Sequence, residues 1–147
     1  MLSKFYIAGL LDGEGCFLIK TIKGNRPNAK NITYTTRIQL NITFKKITEL
    51  LKEQYGGSIY RIKRNNPKHR DTYLWVITSQ KAKKLLMDVI PHLIIKRKEA
   101  KILLELQKHI ETTKDWRTKT PGKRGHSKSV MKLREKLFQQ LKELRRI

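Results

Sequence analysis

Cysteine is nearly absent from this chain of 147 residues, in which Cys16 is the only one. A single cysteine excludes an internal disulfide framework and suits a reducing compartment. No Cys/His pattern has the spacing of a zinc site, and the four histidines show no paired spacing. Any metal chemistry of this chain would therefore rest on oxygen ligands.

Long apolar runs are absent as well. No stretch approaches the ~20 apolar residues that span a bilayer, and no secretory signal precedes the first predicted helix. We therefore expect a protein that is neither embedded in a membrane nor secreted. The length and the 38% hydrophobic content predict one domain with a single core.

Acidic residues are scarce: the chain has 12 Asp and Glu against 34 Lys and Arg, a formal net charge of +22. A domain this basic most often binds nucleic acid, because neutralised phosphates release condensed counterions. An acidic membrane surface and simple solubility are the alternatives. The charge therefore favours a nucleic-acid partner without choosing between DNA and RNA.

Only two acids, Asp12 and Glu14, occur among the first 48 residues, and both lie in the segment YIAGLLDGEG (6–15). A carboxylate beside phosphates is repulsive unless a divalent cation lies between them, and Mg²⁺ favours one or two carboxylates plus phosphate oxygens. Acids at a helix end also commonly cap the helix or pair with lysines. The spacing alone therefore leaves catalysis and capping open.

The same segment is predicted to be a short helix, although glycine costs roughly 1 kcal/mol relative to alanine inside a helix. Gly9 and Gly13 are four residues apart and share one helix face, with Ala8 and Asp12 beside them. A face without side chains lets a second helix approach closely. If that helix comes from a second subunit, both carboxylate ends converge.

The rest of the pattern predicts the element order α-β-β-α-β-β-α-α and an α+β class. Residues 37–44 alternate between polar and apolar side chains, which is typical of a half-buried strand. Two hairpins predict a four-stranded antiparallel sheet with helices on one face. We expect the other face to present Arg37, Gln39, Asn41, Arg61 and Lys63.

Such side chains read base edges in the major groove, where every base pair has a distinct donor and acceptor pattern. An ordinary solvated sheet face is the alternative. We divide the chain into a core, 1–112, and a basic C-terminal loop and helix, 113–147, which is either part of the same domain or an appended tail. That helix could dock on the body, pair with another chain or lie against nucleic acid.

The segment IAGLLDGEG (7–15) resembles the signature of the LAGLIDADG homing endonucleases, and it matches at Ala8, Gly9, Leu10, Asp12 and Gly15. The resemblance covers about residues 4–110. It implies that family's α-β-β-α-β-β-α fold, with a four-stranded DNA-binding sheet. The single copy of the motif resembles the homodimeric branch.

The resemblance implies an intron-encoded endonuclease, dependent on Mg²⁺ or another divalent cation, that hydrolyses both strands of a long pseudo-palindromic double-stranded DNA target. It implies no small-molecule substrate, and a location in a prokaryotic cytoplasm or in a mitochondrion or chloroplast. A catalytically silent member acting as an RNA splicing maturase or a DNA-binding protein is the alternative, and such a member would be expected to lose the acid at position 14. A ribosome-associated protein would explain the charge alone.

The resemblance also implies roles for individual residues. Glu14 is the expected metal ligand and Gly13 lends its backbone carbonyl, while Asp12 caps the partner helix. Lys96 polarises the water or the phosphate, and Lys46, or Lys45, joins the solvent network around the metal. The expected dimer interface is Ala8, Gly9, Asp12 and Gly13.

The expected DNA contacts lie on the sheet, its loops and the start of the last core helix. Tyr73 and Trp75 could instead be packing residues. The full set is Lys20, Arg26, Lys30, Arg37, Gln39, Asn41, Thr43, Arg61, Lys63, Tyr73, Trp75 and Lys98.

Overall fold

The computed structural model describes residues 1–23, 32–113 and 128–146, and within them the predicted order of elements is confirmed. A single 3₁₀ turn, Ile90–His92, contains Pro91 and separates the third helix from the fourth. The elements are α1 (Lys4–Glu14), β1 (Gly15–Lys23), β2 (Ile32–Ile42), α2 (Lys45–Tyr55), β3 (Ser58–Ile62), β4 (Thr72–Thr78), α3 (Ser79–Val89), α4 (Arg97–Thr112) and α5 (Lys128–Arg145).

The four strands form one antiparallel sheet in the order β1-β2-β4-β3. Gly15 at the start of β1 lies opposite Leu40 near the end of β2, and Lys20 lies opposite Thr35. Because β1 begins where α1 ends, the start of β1 and the end of β2 lie at the C-terminal end of α1. Each residue further along β1 lies further from that end, by about 3.3 Å.

The helices cover one face of the sheet, as the sequence predicts. Alternate strand residues point into this helix layer and are buried, because successive side chains of a strand point to opposite faces. The core is built from the strand residues Phe17, Ile38, Leu40, Trp75 and Ile77, and from the helix residues Ile7, Leu11, Leu51, Leu85, Leu86, Leu103 and Leu106.

The C-terminal helix α5 docks on the body, contacting α4 and β1. Leu137 and Leu141 of α5 are buried and join the same core. Of the three arrangements open to this helix, the structure thus shows docking within the chain. The division of the chain into 1–112 and 113–147 stays a prediction.

Candidate active site and DNA-facing surface

The C-terminal end of α1 brings an acid and a lysine together. Glu14 is the last residue of the helix and is exposed. Lys96, half-buried at the start of α4, donates from Nζ to the carbonyl of Leu11 at 3.2 Å and to the carbonyl of Gly15. The C-terminal end of a helix carries partial negative charge, which favours an ammonium group there. The Leu11 carbonyl also accepts the N–H of Gly15. The predicted neighbourhood of Glu14 and Lys96 is therefore present within one chain.

The chain turns sharply between Glu14 and β1. A Cβ atom on Gly15 would lie 2.8 Å from the backbone oxygen of Leu11. Only glycine fits so close to the helix, and the turn therefore places Glu14 directly beside the first strand of the sheet.

Asp12 caps a backbone segment of its own chain. Its carboxylate accepts the N–H of Ile94 at 2.8 Å and the N–H of Lys96 at 3.0 Å. Burial raises the pKa of Asp12, but these backbone hydrogen bonds and the Lys96 charge lower it by more, so the pKa lies below its ordinary value. Our expectation that Asp12 caps a partner helix is therefore corrected: its carboxylate is engaged within the chain, where it fixes the entry to α4.

One face of α1 is open. A Cβ atom added to Gly9 or Gly13 would meet no atom within 4 Å, and both residues are exposed. Ala8 was expected on the same face, but its side chain is fully buried in the chain's own core, because it points toward the sheet. Ala8 is therefore removed from the expected interface, while Gly9 and Gly13 lie where a second helix could approach.

Two isoleucines that the sequence analysis missed flank this open face. Ile94 and Ile95 are 83% and 72% exposed, immediately before Lys96. The segment of Ile90–His92 before them contacts α1. No sequence pattern marks these two residues as exposed. In the structure, the Asp12 carboxylate binds the N–H groups of Ile94 and Lys96 and fixes this turn at the surface.

The residues at this end fit a divalent cation with oxygen ligands. Glu14 has an exposed carboxylate, and the carbonyl of Gly13 is among those that a helix leaves without an internal partner. Within residues 1–23, 32–113 and 128–146, no group of three or more His, Cys, Asp or Glu side chains is placed to hold a metal. One chain thus offers a partial ligand set, of the kind Mg²⁺ completes with phosphate oxygens and water.

The exposed face of the sheet, here called the polar face, begins beside Glu14. Its β2 side chains are polar, whereas Leu18 of β1 and Leu74 of β4 also lie on it. Strand register places Lys20 and Arg37 on this face with Gln39 and Asn41. Arg37 Nε donates to Gln39 Oε1 at 3.2 Å, so the two side chains lie as a pair. Continuing the alternation backward adds Thr35, which the sequence analysis did not include.

Strand register corrects three of the expected DNA contacts, Trp75, Arg61 and Tyr73. Trp75 is fully buried, and its Nε1 donates to the carbonyl of Gly56 at 2.9 Å, so it is a core residue. Arg61 pairs with Tyr73 across β3 and β4 on the helix side of the sheet, and it forms an ion pair with Asp71 at 2.7 Å. Arg61 is therefore absent from the polar face, as is Tyr73, which is half-buried beneath Lys45.

The remaining expected contacts lie elsewhere. Lys63 follows β3 in the loop to β4, and Thr43 follows β2; both are exposed. Lys98 lines a groove between α4 and α5, in the helix layer and away from the polar face. Lys46, near the start of α2, is exposed, and its catalytic role stays a prediction. Arg26 and Lys30 lie outside the described residues.

Among the described helices, none is long and apolar enough to cross a membrane. The helix layer instead leaves one polar sheet face uncovered, with a carboxylate and a lysine at its edge. This arrangement defines the class as α+β proteins with helices on one face of a four-stranded antiparallel sheet.

The comparisons identify the family. The LAGLIDADG endonuclease model matches residues 7–109, and the chain therefore belongs to this family. No curated protein matches the sequence closely enough to count as a relative.

Solved structures with the same fold include three endonucleases bound to DNA. The archaeal intron-encoded I-Vdi141I has a TM-score of 0.73 at 18% identity, over 96% of this chain and 82% of that chain. I-CvuI, in complex with its target in the presence of calcium, has a TM-score of 0.70 at 19% identity, over 96% of this chain and 80% of that chain. I-SmaMI, bound to an uncleaved target, has a TM-score of 0.66 at 16% identity, and 97% of this chain covers only 46% of it.

Proposed function

We propose that this chain is a homodimeric, divalent-metal-dependent homing endonuclease that hydrolyses both strands of a long pseudo-palindromic DNA target. One observation carries the proposal: Lys96 Nζ bonds to carbonyls on either side of Glu14 at the end of α1, where the polar face begins. The DNA-bound neighbours I-Vdi141I and I-CvuI share this fold, which supports duplex DNA as the ligand. Encoding within an intron is part of the proposal.

A second copy of the chain supplies what one copy lacks. One chain has one Glu14, whereas a duplex has two strands to cut. Gly9 and Gly13 leave an open face on α1 that no other described residue covers. This chain covers less than half of I-SmaMI, so two copies together would match a protein of that length.

The residues of each chain have separate tasks at the phosphate. A cation held by the Glu14 carboxylate and the Gly13 carbonyl would activate water and stabilise the leaving oxygen. Lys96, which is tethered to the α1 carbonyls, places a positive charge where it can donate to a phosphate oxygen or to the attacking water. Arg37, Gln39 and Asn41 would read base edges in the major groove.

Cleavage of DNA tests the proposal directly. The full-length protein is incubated with a pool of randomised duplexes and Mg²⁺, and cut molecules are sequenced to find the target. We expect Glu14→Gln to lower the cleavage rate at that target by about a hundredfold or more, since even an outer-shell change at a metal site costs about 10–100-fold. Binding of the target should persist.

Glu53→Gln is the matched control, because Glu53 is an exposed helical acid remote from α1 in sequence. It should cleave at the wild-type rate. Cleavage that survives Glu14→Gln would remove Glu14 from the metal site. Specific binding by the wild-type protein without cleavage would favour the alternative, a maturase or DNA-binding protein.

A further inference from the structure

Helix α5 lies outside the stretch of the chain that the family model matches, which ends at residue 109. It nevertheless contacts β1 and α4, and Leu137 and Leu141 are buried in the common core. The helix is therefore an integral part of the fold whose contribution to function the family match does not specify.

Tyr34 of the sheet makes a direct polar contact with α5. This residue of β2 points into the helix layer and is buried, and its hydroxyl donates to the carboxylate of Glu135. Its ring also packs edge-on against Phe138, with 6.1 Å between the ring centroids. Tyr34 thus meets α5 through a hydrogen bond and an aromatic contact.

The protonation states of this pair are well defined. Burial, together with the Glu135 carboxylate, raises the pKa of Tyr34 to about 12. The hydrogen bond from Tyr34 lowers the pKa of Glu135 from its ordinary value. A neutral hydroxyl therefore donates to an ionised carboxylate at neutral pH, which is the stronger kind of hydrogen bond.

Two different helices form hydrogen bonds with the buried side of β2 at successive inward-pointing residues. Thr36 donates to Gln107 of α4 at 2.7 Å in a fully buried contact. Two residues further from Glu14, Tyr34 bonds to Glu135 of α5 instead. Helix α5 therefore holds β2 at Tyr34, which lies further from Glu14 than Thr36, the residue that α4 holds.

The side chains next to Tyr34 belong to the polar face. Thr33 and Thr35 flank it and point the other way, and Lys20 lies opposite Thr35 on β1. Lys20 is five residues along β1 from Gly15, which corresponds to about 17 Å from the C-terminal end of α1. The helix layer thus holds Tyr34 directly behind the part of the polar face that lies furthest from Glu14.

We propose that Tyr34 and Glu135 are positioning residues for DNA recognition: α5 holds the outer part of the β1–β2 hairpin where Lys20, Thr33 and Thr35 reach base edges. The inference rests on the proposed function, because it assumes that the polar face binds duplex DNA. Base readout needs side chains held within about 0.5 Å of their productive positions, so a support beneath the strand affects it directly. Loss of the Tyr34–Glu135 hydrogen bond should therefore lower base discrimination at the outer base pairs of the DNA target and not at its central base pairs.

Tyr55 offers a matched control. Its hydroxyl donates to Asp88 Oδ2 at 2.8 Å, and burial with Asp88 raises its pKa to about 12, as for Tyr34. This second tyrosine–carboxylate pair joins α2 to α3, and neither residue belongs to β1, β2 or α5. Tyr34→Phe and Tyr55→Phe therefore remove the same kind of hydrogen bond from two different places.

The experiment measures base preference along the whole site. Full-length wild-type protein, Tyr34→Phe, Glu135→Ala and Tyr55→Phe are each equilibrated with a pool of randomised duplex DNA, and the bound molecules are sequenced. A good base contact discriminates by about tenfold or more, and we expect Tyr34→Phe and Glu135→Ala to lower discrimination about threefold or more at the outermost specified pairs only. The double variant should resemble either single one.

Tyr55→Phe should lower the melting temperature to a similar extent while leaving every base preference unchanged. The inference would be overturned if Tyr34→Phe kept the wild-type base preferences, or if it lost discrimination equally at every position of the site. Helix α5 would then have a purely structural role. A wild-type protein that selects no sequence at all would overturn the proposed function, and the inference with it.

Discussion

At the scale of single residues, the two neighbouring acids Asp12 and Glu14 have different surroundings. Asp12 is engaged by the backbone of Ile94 and Lys96, whereas Glu14 is exposed. We expect Asp12→Ala to lower the free energy of unfolding by about 1–2 kcal/mol, the usual effect of losing a capping acceptor. Urea denaturation at neutral pH measures this loss, with Glu53→Ala as an exposed-acid control that should change little.

The effect of Asp12 should also depend on pH. Because its pKa is lowered in the folded protein, its stabilisation is complete above the unfolded pKa of about 3.9 and is lost as the pH falls through the lower folded value. The difference between wild type and Asp12→Ala should therefore shrink below about pH 4. A difference that stays constant down to acid pH would contradict the ionised cap.

At the scale of elements, α1 contains glycines that one chain does not require. Gly9→Ala adds a Cβ atom into open space and removes an unfavourable helix residue, so we expect the isolated chain to gain up to about 1 kcal/mol. The same methyl group should hold two packed helices apart and weaken the dimer. Sedimentation velocity measures association, and denaturation at low protein concentration measures the stability of the chain.

Gly57→Ala provides the contrast for that prediction. Gly57 has a φ of 92°, and a Cβ atom there would lie 2.5 Å from the carbonyl oxygen of Val76, so alanine should destabilise the chain itself. If Gly9→Ala left the association constant unchanged, the open face of α1 would not be the dimer interface.

The sheet also shows how far sequence reasoning extends. The alternation after Arg37 predicts both the strand and its two faces, because a period of two follows from backbone geometry alone. Arg61 and Trp75 were assigned to the wrong face, since their orientation depends on how β3 pairs with β4. The contact of Tyr34 with Glu135 joins residues 101 positions apart and leaves no local signal.

At the scale of the whole molecule, most of the positive charge lies away from the face that is proposed to read bases. Strand register puts only two formal charges, Lys20 and Arg37, on the described part of the polar face, although the chain has 34 Lys and Arg. The neutral polar side chains of this face suit base edges. In the proposed DNA complex, most phosphate contacts would therefore come from basic residues around the sheet.

This separation predicts two different responses to salt and to mutation. The affinity of the wild-type protein for duplex DNA should fall steeply with salt, by about 10³–10⁵ between roughly 50 and 200 mM if about 6–10 phosphates are neutralised. Arg37→Ala should reduce preference for the selected target over a scrambled duplex, and change the salt slope by no more than about one contact. Fluorescence anisotropy with both duplexes across that range measures the two quantities. A shallow slope in the wild-type protein would contradict phosphate binding by the basic surround, and an unchanged target preference in Arg37→Ala would contradict base reading by the polar face.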